Sequence, residues 1–169
     1  MPMGRPDKTH ATEESTRQLT LSAIMLTVAT TAVLVWQWLT RTEPIPVIYF
    51  FGSEPDTELS PGSLLPLTLV VLAFTVGTLL PVFVPAFGRF PVLVTKKNAE
   101  PLYRDSERLH AWITVLIQAT VALTAATLLV AETVWLMTII GGVLLIAIVW
   151  FSGFASMTKR EFERQEIGR

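Results

Sequence analysis

Four stretches of this chain contain no charged residue, and each is long enough to cross a lipid bilayer as an α-helix. They are Gln18–Thr40, Leu59–Gly88, Leu109–Ala131 and Thr133–Thr158. A helix rises about 1.5 Å per residue, so even the shortest stretch, of 23 residues, exceeds the roughly 30 Å hydrocarbon core of a bilayer. The sequence therefore predicts an all-α integral membrane protein with four spans.

The composition agrees with a membrane location and narrows the partners. Hydrophobic residues make up 51% of the 169 residues and charged residues only 16%, compared with about 25% charged in soluble domains. The net charge of −1 argues against a nucleic-acid surface, and the absence of cysteine excludes disulfides and thiolate sites. We expect one membrane domain over 18–158 in the cell membrane, with the lipid bilayer as its partner.

Charged and turn-forming residues divide the chain into spans and loops. We predict a disordered cytoplasmic tail at 1–17, spans at 18–40, 63–87, 109–131 and 133–157, an outer loop at 41–62, an inner loop at 88–108 and a charged cytoplasmic tail at 159–169. The spans are expected to form a four-helix bundle. Pro81 and Pro85 predict a kink in the second helix, and Glu132 alone separates the third and fourth, which predicts a tight hairpin.

The basic residues predict the orientation. Lys and Arg concentrate on the side of the membrane where short loops remain in the cytoplasm. Of the 13 basic residues only Arg41 falls in the outer segment, beside the acids Glu43, Glu54, Asp56, Glu58 and Glu132. An even number of spans also requires both termini on one side. We therefore expect both termini in the cytoplasm and the acidic loop outside.

The outer loop is the most distinctive segment between spans. Pro44 and Pro46 stop the first helix and favour extended backbone. The apolar run 47–51 can lie in the membrane interface or form a short strand. We favour the interface, because a lone strand leaves backbone groups unpaired. The alternating acids Glu54, Asp56 and Glu58 lack the glycine placement of a calcium loop, so we interpret them as solvated rather than as a cation site.

Polar residues inside the spans mark faces where helices are expected to pack. In span three, Thr120, Thr124 and Thr127 follow helical spacing, and Gln118 is the most polar residue deep in any span. We expect Gln118 to bridge helices, with contact to a ligand as the alternative. The threonines can line a polar path, but their hydroxyls also bond the carbonyls of their own helix, so packing is favoured.

Signs of catalysis are absent from the sequence. No ionisable residue falls in the middle of a predicted span, which argues against a proton-coupled carrier. His110, at the inner boundary of span three, is expected to be solvated, and a single histidine makes no metal site. No phosphate-binding loop or catalytic motif occurs. We predict no catalytic, cofactor-binding or metal site, and a non-enzymatic protein.

The outer loop resembles that of a known family. The matching residues are Ile45, Pro46, Val47, Tyr49, Pro55 and Asp56. With the flanking spans, over about residues 19–85, they resemble the small membrane domain of SdpI-type immunity proteins. The family's loop histidine is Ile48 here, its turn glycine is Ser53, and its lysine before span two is absent. The resemblance implies an immunity or signalling role in a cell membrane, with partners held at the inner face.

Three functions follow as hypotheses. The first is a non-enzymatic immunity or signalling protein whose functional loop comprises Pro44, Pro46, Tyr49, Glu54, Pro55 and Asp56. The alternative is a small accessory subunit of a membrane transporter or complex, since polar threonine stripes occur without internal charges. A membrane enzyme acting on lipids, suggested only by the outer acids, is the least favoured. Further partners are then another membrane protein or a second copy of the chain.

Overall fold

The computed structural model describes residues 11–48, 57–84, 87–88, 90–91, 93–95, 97–130 and 134–167. Its elements, in chain order, are α1 (Glu14–Thr40), β1 (Ile45–Ile48), β2 (Thr57–Leu59), α2 (Leu64–Phe83), α3 (Ala99–Val130), β3 (Val134–Trp135) and α4 (Leu136–Ile167). All four helices are long and apolar enough to cross a membrane. The prediction of an all-α, four-span fold is confirmed at this level, with a small sheet added.

Large apolar side chains stay exposed along every helix instead of turning into a shared core. Met25 on α1 is 72% exposed, Phe74 on α2 64%, Leu123 on α3 55% and Phe151 on α4 74%. Soluble proteins rarely expose contiguous apolar patches larger than a few hundred Å². Acyl chains provide the cover that water cannot, so these surfaces place the chain among multi-pass membrane proteins.

The third helix is the centre of the bundle. It packs against α1, α2 and α4, and α1 also packs against α2. In the most apolar stretch of α3, 28% of the residues are buried, whereas in the corresponding stretch of α4 none is. The fourth helix is therefore peripheral and is held mainly through α3.

The three strands form a sheet of order β2–β1–β3 at one end of the bundle. We call this the sheet end and the opposite end, which carries Arg104, Arg108 and Arg160, the basic end. Strand β1 pairs antiparallel with β2 and parallel with β3, with Val47 opposite Thr57 and Val134. Pro46 has no N–H to donate, but β3 pairs only with Val47 and Ile48, so the proline leaves that ladder intact.

This sheet corrects the interpretation of the outer loop. The prediction that the apolar run 47–51 lies in the membrane interface is wrong for Val47 and Ile48, which belong to β1. The rest of the run lies outside the described residues. A lone strand would leave backbone groups unpaired, but β2 pairs with β1 from the same loop and β3 pairs with it from more than 80 positions along the chain. The first of these pairings is local, and only the second is beyond the reach of local sequence.

Two apolar clusters lie at opposite ends of the bundle. The cluster at the sheet end consists of Leu34, Ile45, Leu64, Ala125 and Leu128. The cluster at the basic end consists of Leu109, Ile113 and Met157, with Trp150 and Phe154 packed against it. Between the two clusters, α3 carries the buried polar residues Thr114 and Gln118.

Three helices extend beyond the predicted spans. α1 begins at Glu14, inside the predicted tail 1–17, and α3 begins at Ala99, inside the predicted inner loop 88–108. α4 continues to Ile167, through most of the charged tail 159–169, whose residues can continue a helix. Glu, Lys and Arg are good helix formers outside the bilayer. Pairs such as Arg104–Glu100 and Lys159–Glu163, four residues apart, support these extensions.

The predicted hairpin and the predicted kink both involve residues outside the described part of the chain. Glu132, the centre of the predicted hairpin, lies outside the described residues, and β3 stands between α3 and α4. Pro85 is also outside them, whereas Pro81 lies within α2, two residues before its end at Phe83. The kink in the second helix stays a prediction.

Replacement of Gly142 tests the contact between α3 and α4. A Cβ at this position would lie 2.9 Å from Thr120 Cβ and closer still to its γ atoms, whereas one at Gly141 meets nothing within 4 Å. Threonine is stiff at χ1 and cannot turn aside easily. We expect Gly142→Ala to lower the free energy of unfolding by about 1–3 kcal/mol, measured by SDS titration in mixed micelles.

Gly141→Ala is the matched control and should be neutral or stabilising, because alanine is the better helix former. Adding Thr120→Ala to Gly142→Ala should restore part of the loss, because it removes the two γ atoms and leaves only the contact between the two Cβ atoms. Equal effects of the two glycine replacements would contradict the close approach of α4 to α3.

Candidate functional site

Four polar side chains lie one above another on the buried face of α3. They are Ser106, His110, Thr114 and Gln118, which recur at every fourth residue and are each less than 5% exposed. Residues spaced by four share a helix face, so this spacing gives one continuous polar row. We call it the polar ladder. It runs from the basic end to the middle of the bundle and stops where the sheet-end cluster begins.

Gln118, at the end of the ladder that lies in the middle of the bundle, joins three helices. Its Nε2 donates to Thr75 Oγ1 on α2 at 2.6 Å, and its Oε1 accepts from Thr30 Oγ1 on α1 at 3.3 Å. The side chain is completely buried. One turn earlier, Thr114 Oγ1 donates to Thr78 Oγ1 on α2 at 3.0 Å. The ladder therefore connects α3 to both α1 and α2 in the middle of the bundle.

The threonines of this network also bond their own helices. Thr30, Thr75 and Thr114 each donate to the carbonyl four residues earlier, at 2.8 Å in every case. A hydroxyl has only one hydrogen. Where a threonine donates both to its own helix and to a neighbouring helix, the two bonds therefore share that hydrogen. These hydroxyls stay satisfied when the interhelical partner is removed, which limits the cost of losing it.

His110 is not solvated, so the expectation from the sequence is wrong. It is 4% exposed, and its ring meets Trp150 of α4 edge-on with centroids 5.5 Å apart. The early start of α3 at Ala99 places His110 well inside the helix instead of at its end, and α4 covers it. Glu107, on the adjacent face, is also buried, with 1% exposure.

The pairing of His110 with Ser106 does not make a nucleophile and its base. Nδ1 of His110 lies 2.8 Å from the Ser106 carbonyl oxygen, which can only accept, so this nitrogen carries the hydrogen. Ser106 Oγ lies 3.3 Å from the same nitrogen and cannot transfer its proton to it. Among the described residues there is also no group of three or more His, Asp or Glu that could hold a metal ion.

The remaining predicted site residues are spread over two regions. Thr120, Thr124 and Thr127 donate to carbonyls of their own helix and do not join the network around Gln118. Thr120 instead faces Gly142 of α4. In the outer loop, Pro44 is exposed and Pro46 lies in β1. Tyr49, Glu54, Pro55 and Asp56 lie outside the described residues.

Sequence reasoning missed several members of the buried polar network. Ser106, Glu107 and Thr114 were not singled out, nor were Thr75 and Thr78 on α2. The signal that was available is the four-residue spacing of Ser106, His110, Thr114 and Gln118. It was hidden because the first two residues were assigned to an inner loop and its boundary, where helical spacing has no meaning.

Comparison with protein-family models, with curated proteins and with solved structures gave no match. The four apolar helices and the bonds of Gln118 define the chain as a multi-pass membrane protein with a polar network among three helices. The resemblance to the membrane domain of immunity proteins stays a prediction.

Replacing Gln118 tests whether the network holds the bundle together. We expect Gln118→Leu to lower the free energy of unfolding in micelles by about 0.6–1.7 kcal/mol for each interhelical bond lost. In a double-mutant cycle with Thr75→Val, the coupling energy should be of the same size. Thr124→Val, which removes a hydroxyl bonded only within α3, should be nearly neutral. Additive effects of the Gln118 and Thr75 replacements would show that the 2.6 Å bond does not stabilise the bundle.

Proposed function

We propose that this chain is a non-enzymatic membrane protein of immunity or signalling type that recognises its partner at the sheet end. The observation that carries the proposal is the parallel pairing of β1 with β3. This pairing joins the segment that resembles the immunity-protein loop to the connection between α3 and α4. A partner that binds the loop would therefore act on the helix pair as well.

The packing beneath the sheet supports this coupling. Ile45, the first residue of β1, is completely buried and packs in one cluster with Leu34 of α1, Leu64 of α2 and Leu128 of α3. A displacement of β1 would disturb contacts with three helices at once, because close-packed cores respond as a unit. Loop recognition and bundle geometry are thus linked through one strand.

A cavity beside the sheet provides room for a partner. It has a volume of about 360 Å³ and lies between the ends of α1 and α3. Its lining combines an aromatic ring, an amide and charges of both signs, from Trp36, Gln37, Arg41 and Glu43. Such a mixed lining suits an extended polar segment of another protein better than an acyl chain. On the predicted orientation this cavity opens to the outside of the cell.

Charge reversal at Glu58 tests recognition at the sheet end. Glu58 lies in β2 and is exposed, so Glu58→Lys should change the surface without loosening the core. We expect cells that express the wild-type chain to survive when they are exposed to the toxic fraction of the medium into which the source organism secretes. In cells that express Glu58→Lys, the highest toxin concentration that the cells survive should fall about tenfold, because a misplaced charge at a contact lowers the affinity.

Glu13→Lys is the control, since Glu13 is an exposed acid beside α1 at the basic end. It should protect as the wild type does, at equal amounts of inserted protein measured by immunoblot. Deletion of 43–56 should abolish protection. Protection that is unchanged by both the deletion and Glu58→Lys would contradict recognition at the sheet end.

The alternative function, an accessory subunit of a membrane complex, has its own support in α4. No side chain in the most apolar stretch of this helix is buried. A lateral partner in the membrane would cover the exposed face that includes Leu144, Ile148 and Phe151. Purification in mild detergent tests this alternative, because a subunit should copurify with a stoichiometric partner and a clean monomer would count against it.

A further inference from the structure

We propose that a cleft between α3 and α4 at the basic end binds the headgroup of an anionic phospholipid, with phosphatidylglycerol as the occupant. The cleft has a volume of about 160 Å³. A water molecule takes up about 30 Å³ in the liquid, so the space holds a group of several heavy atoms. The inference rests on insertion into a membrane and not on the function proposed above.

The charges of the cleft suit a phosphodiester. Arg108 of α3 and Arg160 of α4 line it together with Asp105. Arg160 Nη1 donates to Asp105 Oδ1 at 2.9 Å, so one positive charge is already balanced and Arg108 supplies the excess. A single phosphodiester carries one negative charge, which matches this excess. Trp112 and Ser156 also line the cleft, and an indole N–H can donate to a phosphate oxygen, whereas the Ser156 hydroxyl already donates to the Gly153 carbonyl.

A second observation points to a ligand that donates hydrogen bonds. Asp105 Oδ2 is buried and has no hydrogen-bond partner in the described structure. A buried carboxylate oxygen without a donor is costly, since its hydration is lost without replacement. A phosphodiester group alone has no hydrogen to donate to it. Asp105 lines the cleft, so the glycerol hydroxyls of phosphatidylglycerol can donate to its carboxylate when the side chain turns Oδ2 toward the cleft, while the phosphate meets the arginines.

The position of the cleft along the helices corresponds to headgroup depth. Arg108 immediately precedes the uncharged stretch Leu109–Ala131, and Arg160 follows the stretch Thr133–Thr158 by two residues. Trp112 is 46% exposed at the same level, where indole rings favour the membrane–water boundary. Basic pockets between helices at this depth bind anionic headgroups. A lipid can thus reach the cleft from the bilayer without leaving its leaflet.

Glycine shapes the cleft. A Cβ at Gly153 would lie 2.5 Å from Leu109 Cδ1, so the backbone of α4 approaches α3 closely there. Just beyond this contact, Ser156 is exposed and its hydroxyl bonds back to the Gly153 carbonyl at 2.8 Å. Ser156 lines the cleft with a small side chain, so a bulky residue at this position would occupy its space.

Native mass spectrometry of the full chain in micelles, titrated with defined lipids, tests the proposal. We expect phosphatidylglycerol to bind more tightly than phosphatidylcholine. Arg108→Gln should weaken phosphatidylglycerol binding about fivefold, the factor that corresponds to about 1 kcal/mol for one basic residue near the membrane surface. Arg104→Gln is the control, because Arg104 is an exposed arginine of the same helix that pairs with Glu100 and does not line the cleft.

Three further arms make the result decisive. Ser156→Trp should fill the cleft and weaken binding at unchanged charge. Phosphatidylmethanol, which has the same charge but no hydroxyl, should bind less tightly than phosphatidylglycerol. Inorganic phosphate should not compete at equal concentration. Equal losses for Arg108→Gln and Arg104→Gln, undiminished binding by Ser156→Trp, or equal binding of the two anionic lipids would overturn the proposal, and effective competition by phosphate would assign the cleft to a soluble anion.

Discussion

One buried amide links three helices in the middle of the bundle, in a medium where the hydrophobic effect contributes little to their association. Acyl chains are as apolar as leucine, so helices inside a bilayer gain little by turning apolar side chains toward each other. Gln118 reaches Thr75 of α2 and Thr30 of α1 from the central helix. Close contacts, such as that of Gly142 with Thr120, add the dispersion that brings α4 against α3. The other features of the fold are arranged around this centre.

Away from the centre, each end of the bundle uses different physics. At the sheet end, backbone hydrogen bonds between β1 and β3 tie two connections that are distant in the chain, and Ile45 anchors them to the helices. At the basic end, the ion pair of Arg160 with Asp105 joins α4 to α3 where water and headgroups begin. An exposed ion pair is worth at most about 1 kcal/mol. The sheet end is therefore held by backbone pairing and apolar packing, whereas the ion pair at the basic end adds little to the stability of the bundle.

Particular residues show where sequence reasoning succeeds and where it stops. The uncharged stretches locate α1 to α4. A charge inside the bilayer costs free energy whatever its neighbours in the sequence are, so the spans are the segments that lack charges. Charged flanks were misassigned, since Glu100 and Arg104 favour helix as readily as they favour water. His110 was expected to be solvated because its burial depends on Trp150, forty residues later. Strand β1 has a local partner in β2, which the sequence analysis overlooks, and a distant one in β3, which only the folded chain provides.

Membrane class and the number of spans are thus determined by the sequence alone, because transfer free energy into acyl chains adds up locally, residue by residue. The choice of α3 as the central helix, the contacts of Gln118, the sheet that joins two loops and the cleft between Arg108 and Arg160 are decided only in the tertiary structure. Each of these requires side chains from separate elements to meet at hydrogen-bonding or contact distance. No periodicity or composition within a single segment encodes such a meeting.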